Sequence, residues 1–206
     1  MRPSLLTAQA TLTFTDYFKL NLDTDEVVAY FGYGYTSAAM TLPCADTALP
    51  WYADLYERLT ASLPYVSLTS EAARREFLIA PIILDLARYQ HVRVRVEYPL
   101  EVSAQLRGTL DYYLQARQQL LVIEAKNADL QRGFTQLAVE LIALDRSIDA
   151  PSSHLYGAVS IGNVWQFGIL NRTEQHITQD LNLYRVPADL RDLLQILIAI
   201  LQAPPD

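Results

Sequence analysis

The chain has 206 residues, enough for one sizeable domain with its own core, and its composition (51% hydrophobic, 19% charged) is ordinary for a soluble globular protein, with no low-complexity segment. Its single cysteine, Cys44, excludes an intrachain disulfide, and its three histidines lack the spacing of zinc ligands. A net charge of −7 argues against general affinity for nucleic-acid backbones, since phosphate contacts supply much of that affinity.

The charge is unevenly distributed. Residues 71–132 carry nine arginines or lysines against eight acidic residues, a net of +1, whereas the rest carries seven against fifteen, a net of −8. The central segment is therefore relatively basic, and its arginines suit either solvated faces of strands and helices or contacts with phosphate.

Residues 1–69 are predicted to form a small, mostly helical N-terminal extension packed on the core. The run Met1–Leu6 is too short for a signal peptide, and the later apolar stretch Leu193–Leu201 is far short of a membrane span. We therefore expect a cytoplasmic protein with no membrane partner. The expected elements are a helix capped by Thr15 or Asp16, a helix starting near Asp23, a strand at 35–42 and a helix at 51–62.

A longer helix is predicted from Glu71 to Tyr89. Ser70 is a suitable N-cap, and apolar residues recur at intervals of three and four. Pro81 lies inside this pattern and should kink or break the helix.

The next segment has the period of β-strands. Apolar and charged residues alternate from Val92 to Glu97, with Val92, Val94 and Val96 on the buried side. Two further strands, at 105–115 and 120–125, follow short polar turns and predict an antiparallel meander. The continuous apolar run Leu121–Ile123 predicts that the third strand is central in the sheet.

The remaining pattern completes an α/β (α+β) protein. A helix is expected at 133–147, with Phe134, Leu137, Leu141 and Leu144 on its apolar face, and a last helix is expected to start with Pro187 at its first position. Strands are expected at 155–161, 164–170 and 176–186. Residues 70–206 should thus form a central mixed sheet flanked by helices.

Three residues of the meander form a candidate site. Glu124 and Lys126 are two apart at the end of a strand, so they share a face, and Asp111 can lie beside Glu124 if the strands are neighbours. Paired carboxylates suit a magnesium ion, and the lysine could orient water or stabilise charge on a phosphate. The structural alternative is a Glu124–Lys126 salt bridge at the strand end.

These residues and their flanks resemble the PD-(D/E)xK nuclease superfamily, most closely the N-terminal nuclease domain of type I restriction enzyme motor subunits. The likeness covers about residues 70–170, and one departure is Leu110, where the motif's name has proline. The matching segments are Arg107–Tyr113, Val122–Lys126, Gly133–Gln136, the helix residues Glu71, Ala72, Arg75, Leu78, Ile79 and Pro81, and the turn and strand Gly162–Phe167.

The resemblance implies a restriction endonuclease-like fold that binds Mg²⁺ or Mn²⁺. Asp111 and Glu124 would be metal ligands and Lys126 the catalytic lysine. Glu71 would be an accessory ligand, while its rival Glu76 should face elsewhere on the helix. The resemblance also places Gln136 in the site and Arg75 and Arg107 against substrate.

Several of these residues have structural alternatives. Gln136 could instead hydrogen-bond a loop, and Arg75 could form a surface ion pair with Glu71 at i,i+4. Gly108 is expected to allow close backbone approach, whatever the function.

The expected function is that of a metal-dependent phosphodiesterase, a DNA nuclease with DNA as its partner and a possible homodimer. The alternative is a non-catalytic interaction or regulatory subunit of a restriction, defence or mobile-element system, because the chain is acidic and carries no targeting module.

Overall fold

A computed structural model describes residues 11–116, 120–125, 129–148 and 152–203; within 120–125, Ile123 alone has a described side chain. The helices are α1 (Phe14–Lys19), α2 (Thr24–Tyr30), α3 (Tyr52–Ser62), α4 (Glu71–Arg74), α5 (Ala80–Gln90), α6 (Leu130–Ser147) and α7 (Leu190–Gln202). The strands are β1 (Gly34–Ala38), β2 (Arg93–Ser103), β3 (Leu106–Gln115), β4 (Leu120–Ala125), β5 (His154–Ser160), β6 (Val164–Asn171), β7 (His176–Asp180) and β8 (Tyr184–Arg185). A 3₁₀ turn (Leu63–Tyr65) follows α3, and a π turn (Arg75–Ile79) joins α4 to α5.

All eight strands belong to one mixed sheet. Seven follow the order β1-β7-β6-β5-β4-β3-β2, and β8 pairs with β6. The predicted meander is confirmed, since β2, β3 and β4 pair antiparallel in succession. β4 then pairs parallel with β5, a connection that needs a crossover, and α6 provides it. The expected central position of β4 and the mixed α/β class are therefore confirmed.

Helices cover both faces of the sheet. We call the two the α7 face, which packs against α3, α5 and α7, and the α6 face, which packs against α1, α2 and α6. The buried strand residues of the α7 face are Tyr112, Leu114, Ile123, Ala158, Trp165 and Phe167. Those of the α6 face are Leu106, Leu110, Tyr113, Leu155, Val159, Leu170 and Ile177.

The N-terminal residues pack closely on α6. The predicted apolar face of this helix is buried, and burial continues all round from Gly133 to Leu144. The reason is that α1 and α2 cover its outer side, where the hydroxyls of Thr24 and Thr135 lie 2.8 Å apart. β1 also joins the main sheet beside β7, so residues before 70 supply an edge strand as well as helices.

Several predicted boundaries are wrong. The N-cap of α1 is Thr13, not Thr15 or Asp16, and β1 ends at Ala38, not at residue 42. Pro187 is not the first residue of the last helix, which begins at Leu190, because a turn intervenes in which Leu190 N–H donates to the Pro187 carbonyl at 3.3 Å. The strand expected at 176–186 ends at Asp180, whose carboxylate accepts the backbone N–H of Asn182 at 3.0 Å and so stabilises a turn. Among the described residues, no helix is long and apolar enough to cross a membrane.

Candidate active site

Ser70 begins the helical segment that carries Arg75. Its hydroxyl accepts the backbone N–H of Ala73 at 3.1 Å, which confirms the predicted N-cap. Pro81 has no N–H to donate to the carbonyl one turn back, and its ring crowds that carbonyl. The helix widens into the π turn immediately before Pro81, an irregularity that occurs often at functional sites. Arg75 is the first residue of this turn.

Asp111 lies where β3 changes face. Even-numbered residues should share one face of a strand, yet Leu110 packs on the α6 face and Tyr112 on the α7 face. The strand must therefore rotate about Asp111. The side chain of Asp111 is 15% exposed.

The neighbouring strand β2 rotates at the same level. Val94 packs on the α7 face and Tyr98 on the α6 face, and between them Glu97 has φ 51°, a left-handed conformation uncommon outside glycine. Val96 was expected on the buried side, but it is more than half exposed because it borders this rotation. The pairing of β2 with β3 has the same register before Glu97 (Val96–Tyr112) and after it (Tyr98–Leu110), so Glu97 lies at the level of Asp111.

Arg75 connects the helix to both rotated strands. Its Nη1 lies 3.6 Å from Oε1 of Glu97 and 3.7 Å from Oδ1 of Asp111, and its guanidinium carbon lies 5.4 Å from the centre of the Tyr112 ring. Burial lowers the pKa of Arg75, but the Tyr112 hydroxyl and the two carboxylates outweigh it and raise that pKa. Burial likewise raises the pKa of Tyr112, against the opposite effect of Arg75. Arg75 therefore stays a cation, shared between two carboxylates.

The predicted partners of Asp111 lie on β4 and beyond it. The ladder between β3 and β4 runs from Gln115–Leu120 to Tyr112–Ile123 and stops one residue short of positions 111 and 124. On its other side, position 124 pairs with Val159 of β5. The side chain of Glu124 and the whole of Lys126 lie outside the described part of the chain.

The two helical glutamates differ in their surroundings. Glu71 is half-buried in the first turn of α4, four residues before Arg75. Among the described ion pairs, those of Arg75 are with Glu97 and Asp111, not with Glu71. Glu76 is exposed and lines an open cleft of about 710 Å³ against α3, although it is near enough to help raise the pKa of Tyr112.

Gln136 is buried within α6. Its Nε2 donates to Oε1 of Glu140 at 2.8 Å, and Glu140 is fully buried. This described contact runs along the helix, to neither Asp111 nor a loop.

Arg107 lies at a distance from Asp111, because four residues of a strand span about 13 Å. It pairs with Glu101 across β2 and β3, with 3.4 Å between Nη1 and Oε1. Gly108 has φ 147°, and a Cβ there would lie 2.8 Å from the Phe14 ring. The close approach expected at Gly108 is thus contact with α1.

Glu97 and Tyr112 escaped the sequence-based prediction. Glu97 lies within unbroken apolar alternation from Val92 to Val102, in which nothing indicates a rotated strand. Tyr112 begins the run Tyr112-Tyr113-Leu114, where the alternation of β3 breaks, and that break is the one signal in the sequence. The positive φ of Glu97 and the stacking of Arg75 on Tyr112 become visible only in three dimensions.

The donor atoms at this end of the sheet suit a hard cation. The Asp111 carboxylate supplies oxygen ligands of the kind that Mg²⁺ prefers. Within 11–116, 120–125, 129–148 and 152–203, however, no three His, Cys, Asp or Glu side chains form a group that could hold a metal. Among the described residues, the Asp111 carboxylate therefore lies beside the Arg75 cation.

The sequence matches no protein-family model. No curated protein matches it either. Fold and site together describe a mixed α/β protein with a carboxylate–arginine cluster where two of its strands rotate.

Proposed function

We propose that the chain is a metal-dependent phosphodiesterase of the PD-(D/E)xK type that acts on DNA. The observation that carries the proposal is the placement of Asp111: it is largely buried at the rotation of β3, next to the Tyr112–Ile123 pair at the end of the β3–β4 ladder, with Nη1 of Arg75 3.7 Å from its Oδ1. Carboxylates and a cation gathered at one point of a sheet suit the recognition and hydrolysis of a phosphate ester.

In this proposal the chain's own residues divide the work. Asp111 and Glu124 hold Mg²⁺ or Mn²⁺, with Glu71 as an accessory ligand, and Lys126 orients the attacking water or stabilises charge on the phosphate. When bound, the metal lowers the pKa of water and polarises a phosphoryl oxygen. Arg75 contacts a phosphate oxygen.

Two proposed site residues have supporting roles. Gln136, held by Glu140, supports α6 beside the site. Arg107, about 13 Å along the strand, contacts the DNA backbone outside the reacting phosphate.

Incubation of the purified protein with supercoiled and linear DNA in Mg²⁺ or Mn²⁺ tests the proposal. We expect cleavage by the wild type, and a loss of about 10³-fold or more in Asp111→Asn and Lys126→Ala, because each removes a group acting on the reacting phosphate. Glu174→Gln is the control, since it removes an exposed acid from the turn between β6 and β7. Equal inactivity of the wild type and Lys126→Ala on every DNA and RNA form would exclude the enzyme.

A second function is that of a non-catalytic interaction or regulatory subunit with the same fold. It is favoured by the Arg75 guanidinium beside Asp111, which supplies a positive charge without a metal, and by the net charge of −7. Calorimetry distinguishes the two: the absence of Mg²⁺ or Mn²⁺ uptake dependent on Asp111 and Glu124 supports the subunit.

A further inference from the structure

The cleft between α3 and the π turn shares no residue with the proposed catalytic site. It has a volume of about 710 Å³ and is lined by residues of α3, the 3₁₀ turn after it, the π turn and the start of α5. The Arg58 guanidinium joins α3 to α5, because it pairs with Asp54 at 3.1 Å and also with Asp85. An ionic contact thus connects the two sides of the cleft, which is open without a ligand.

Exposed aromatic and apolar side chains gather at this cleft. Tyr65 is 88% exposed and Phe77 is 43% exposed, and both line the cleft together with Pro81. Leu84, which is 65% exposed, follows Pro81 on the same side of α5 and extends the apolar strip. One exposed apolar residue is ordinary, but several beside a single cleft are typical of a surface that binds another protein.

The charged residues of the cleft are mainly acidic. Its lining has three carboxylates, those of Asp54, Glu57 and Glu76, against one guanidinium, that of Arg58. Asp54 and Asp85 already balance the Arg58 charge, whereas none of the ion pairs within the described part of the chain involves Glu57 or Glu76. Two exposed carboxylates therefore remain for a cation from outside, and they would repel the phosphates of DNA.

We propose that this cleft is a docking site for a short, basic, amphipathic segment of a partner protein. Apolar side chains of the segment contact Tyr65, Phe77 and Leu84, and its lysines or arginines pair with Glu57 and Glu76. Charge complementarity selects this occupant, because a purely apolar segment would cover the two carboxylates without a counter-ion. The inference is independent of the proposed nuclease and goes beyond it.

The shape of the cleft favours a helical segment. Helical turns form both of its walls, and a helix laid between them can bury one apolar face in the groove while its charged residues reach the rim. Phe77, Pro81 and Leu84 are themselves spaced by four and three residues. Apolar residues at the same intervals on the partner helix would lie along this strip.

The fluorescence anisotropy of a labelled peptide tests the inference. The probe is a lysine–leucine peptide of about three helical turns with its leucines on one face, and its scrambled isomer is the reference. We expect the wild type to bind the amphipathic peptide about tenfold more tightly than the isomer. Tyr65→Ser and Glu57→Gln/Glu76→Gln should each weaken this binding about tenfold, and the double variant should also lose most of the dependence on salt.

Two substitutions outside the cleft are the matched controls. Leu181→Ser removes a 59% exposed apolar side chain just after β7, and Glu174→Gln removes an exposed carboxylate between β6 and β7. Both variants should bind the peptide as the wild type does. Since Tyr65 is 88% exposed, Tyr65→Ser should also keep the wild-type thermal unfolding, which separates lost binding from lost folding.

Equal affinities of the wild type, Tyr65→Ser and Glu57→Gln/Glu76→Gln would overturn the docking site. A comparable loss in Glu174→Gln would overturn it too, because the attraction would then come from the overall charge of −7. A wild-type dimer in sedimentation that Tyr65→Ser converts to monomers would identify a second copy, not a partner protein, as the occupant. DNA cleavage should be unaffected by Tyr65→Ser, so the docking site and the proposed nuclease fail independently.

Discussion

Glu97 and Glu101 are four residues apart on the same strand, equally exposed, and each pairs with an arginine. They differ in backbone conformation, because Glu97 has φ 51° and Glu101 does not share this positive angle. Chemistry at the level of single residues thus depends on a dihedral angle that no side-chain pattern reveals.

The different backbone conformations of Glu97 and Glu101 predict different stabilities when each residue is replaced by glycine. Glycine in a strand costs about 0.5–1 kcal/mol, whereas release of a left-handed non-glycine residue returns about 1 kcal/mol or more. Glu97→Gly should therefore be more stable than Glu101→Gly by about 1 kcal/mol, measured by urea denaturation. Equal stabilities of the two variants would mean that residue 97 carries no strain.

At the scale of elements, the segment from Ser70 to Gln90 shows what local rules can predict. The N-cap and the disruption at Pro81 follow from donor and acceptor counts, and both are observed. The position of the widened turn does not follow, because the lost hydrogen bond could also be absorbed by a simple kink. Its placement at Arg75 brings that side chain to the strands.

Removal of the cap should weaken this segment measurably. We expect Ser70→Ala to lower the free energy of unfolding by about 1 kcal/mol, since the Ala73 N–H loses its acceptor. Ser67→Ala is the control, because that exposed hydroxyl pairs with Thr69 outside a helix and should cost less than about 0.5 kcal/mol. Chemical denaturation of both variants measures these changes. Equal losses of unfolding free energy in the two variants would show that the cap does not stabilise the helix.

At the scale of the whole molecule, tyrosines are a prominent part of both cores. Burial is the largest cause of a raised pKa in five of these tyrosines, because a buried phenol does not ionise readily. These residues are Tyr17, Tyr33, Tyr112, Tyr113 and Tyr184. Because the folded-state pKa values lie above the unfolded value, their contribution to stability is complete below about pH 10 and is lost as the pH rises through the folded values.

Alkaline unfolding should therefore depend on proton release by these phenols. We expect the free energy of unfolding to fall steeply above about pH 10, and to fall less steeply in Tyr17→Phe, which keeps the ring but has no ionisable hydroxyl. The loss of the 2.9 Å hydrogen bond to the Gln105 carbonyl should lower stability by about 1 kcal/mol at neutral pH. Urea titrations from pH 7 to 11 measure both effects; an unchanged pH slope would contradict the role of Tyr17.

The order of elements, the meander, the central β4, the N-cap at Ser70 and the start of a helix near Asp23 could be read from the sequence alone, because they depend on periodicity and local hydrogen bonding. The proximity of Asp111 to Glu124 stays a prediction. Only the tertiary structure revealed the rotation at Glu97 and Asp111, the π turn at Arg75 and the burial of α6 on all sides. These features depend on how the helices pack on the sheet, and the apolar alternation of β2 is the same whether or not the strand rotates.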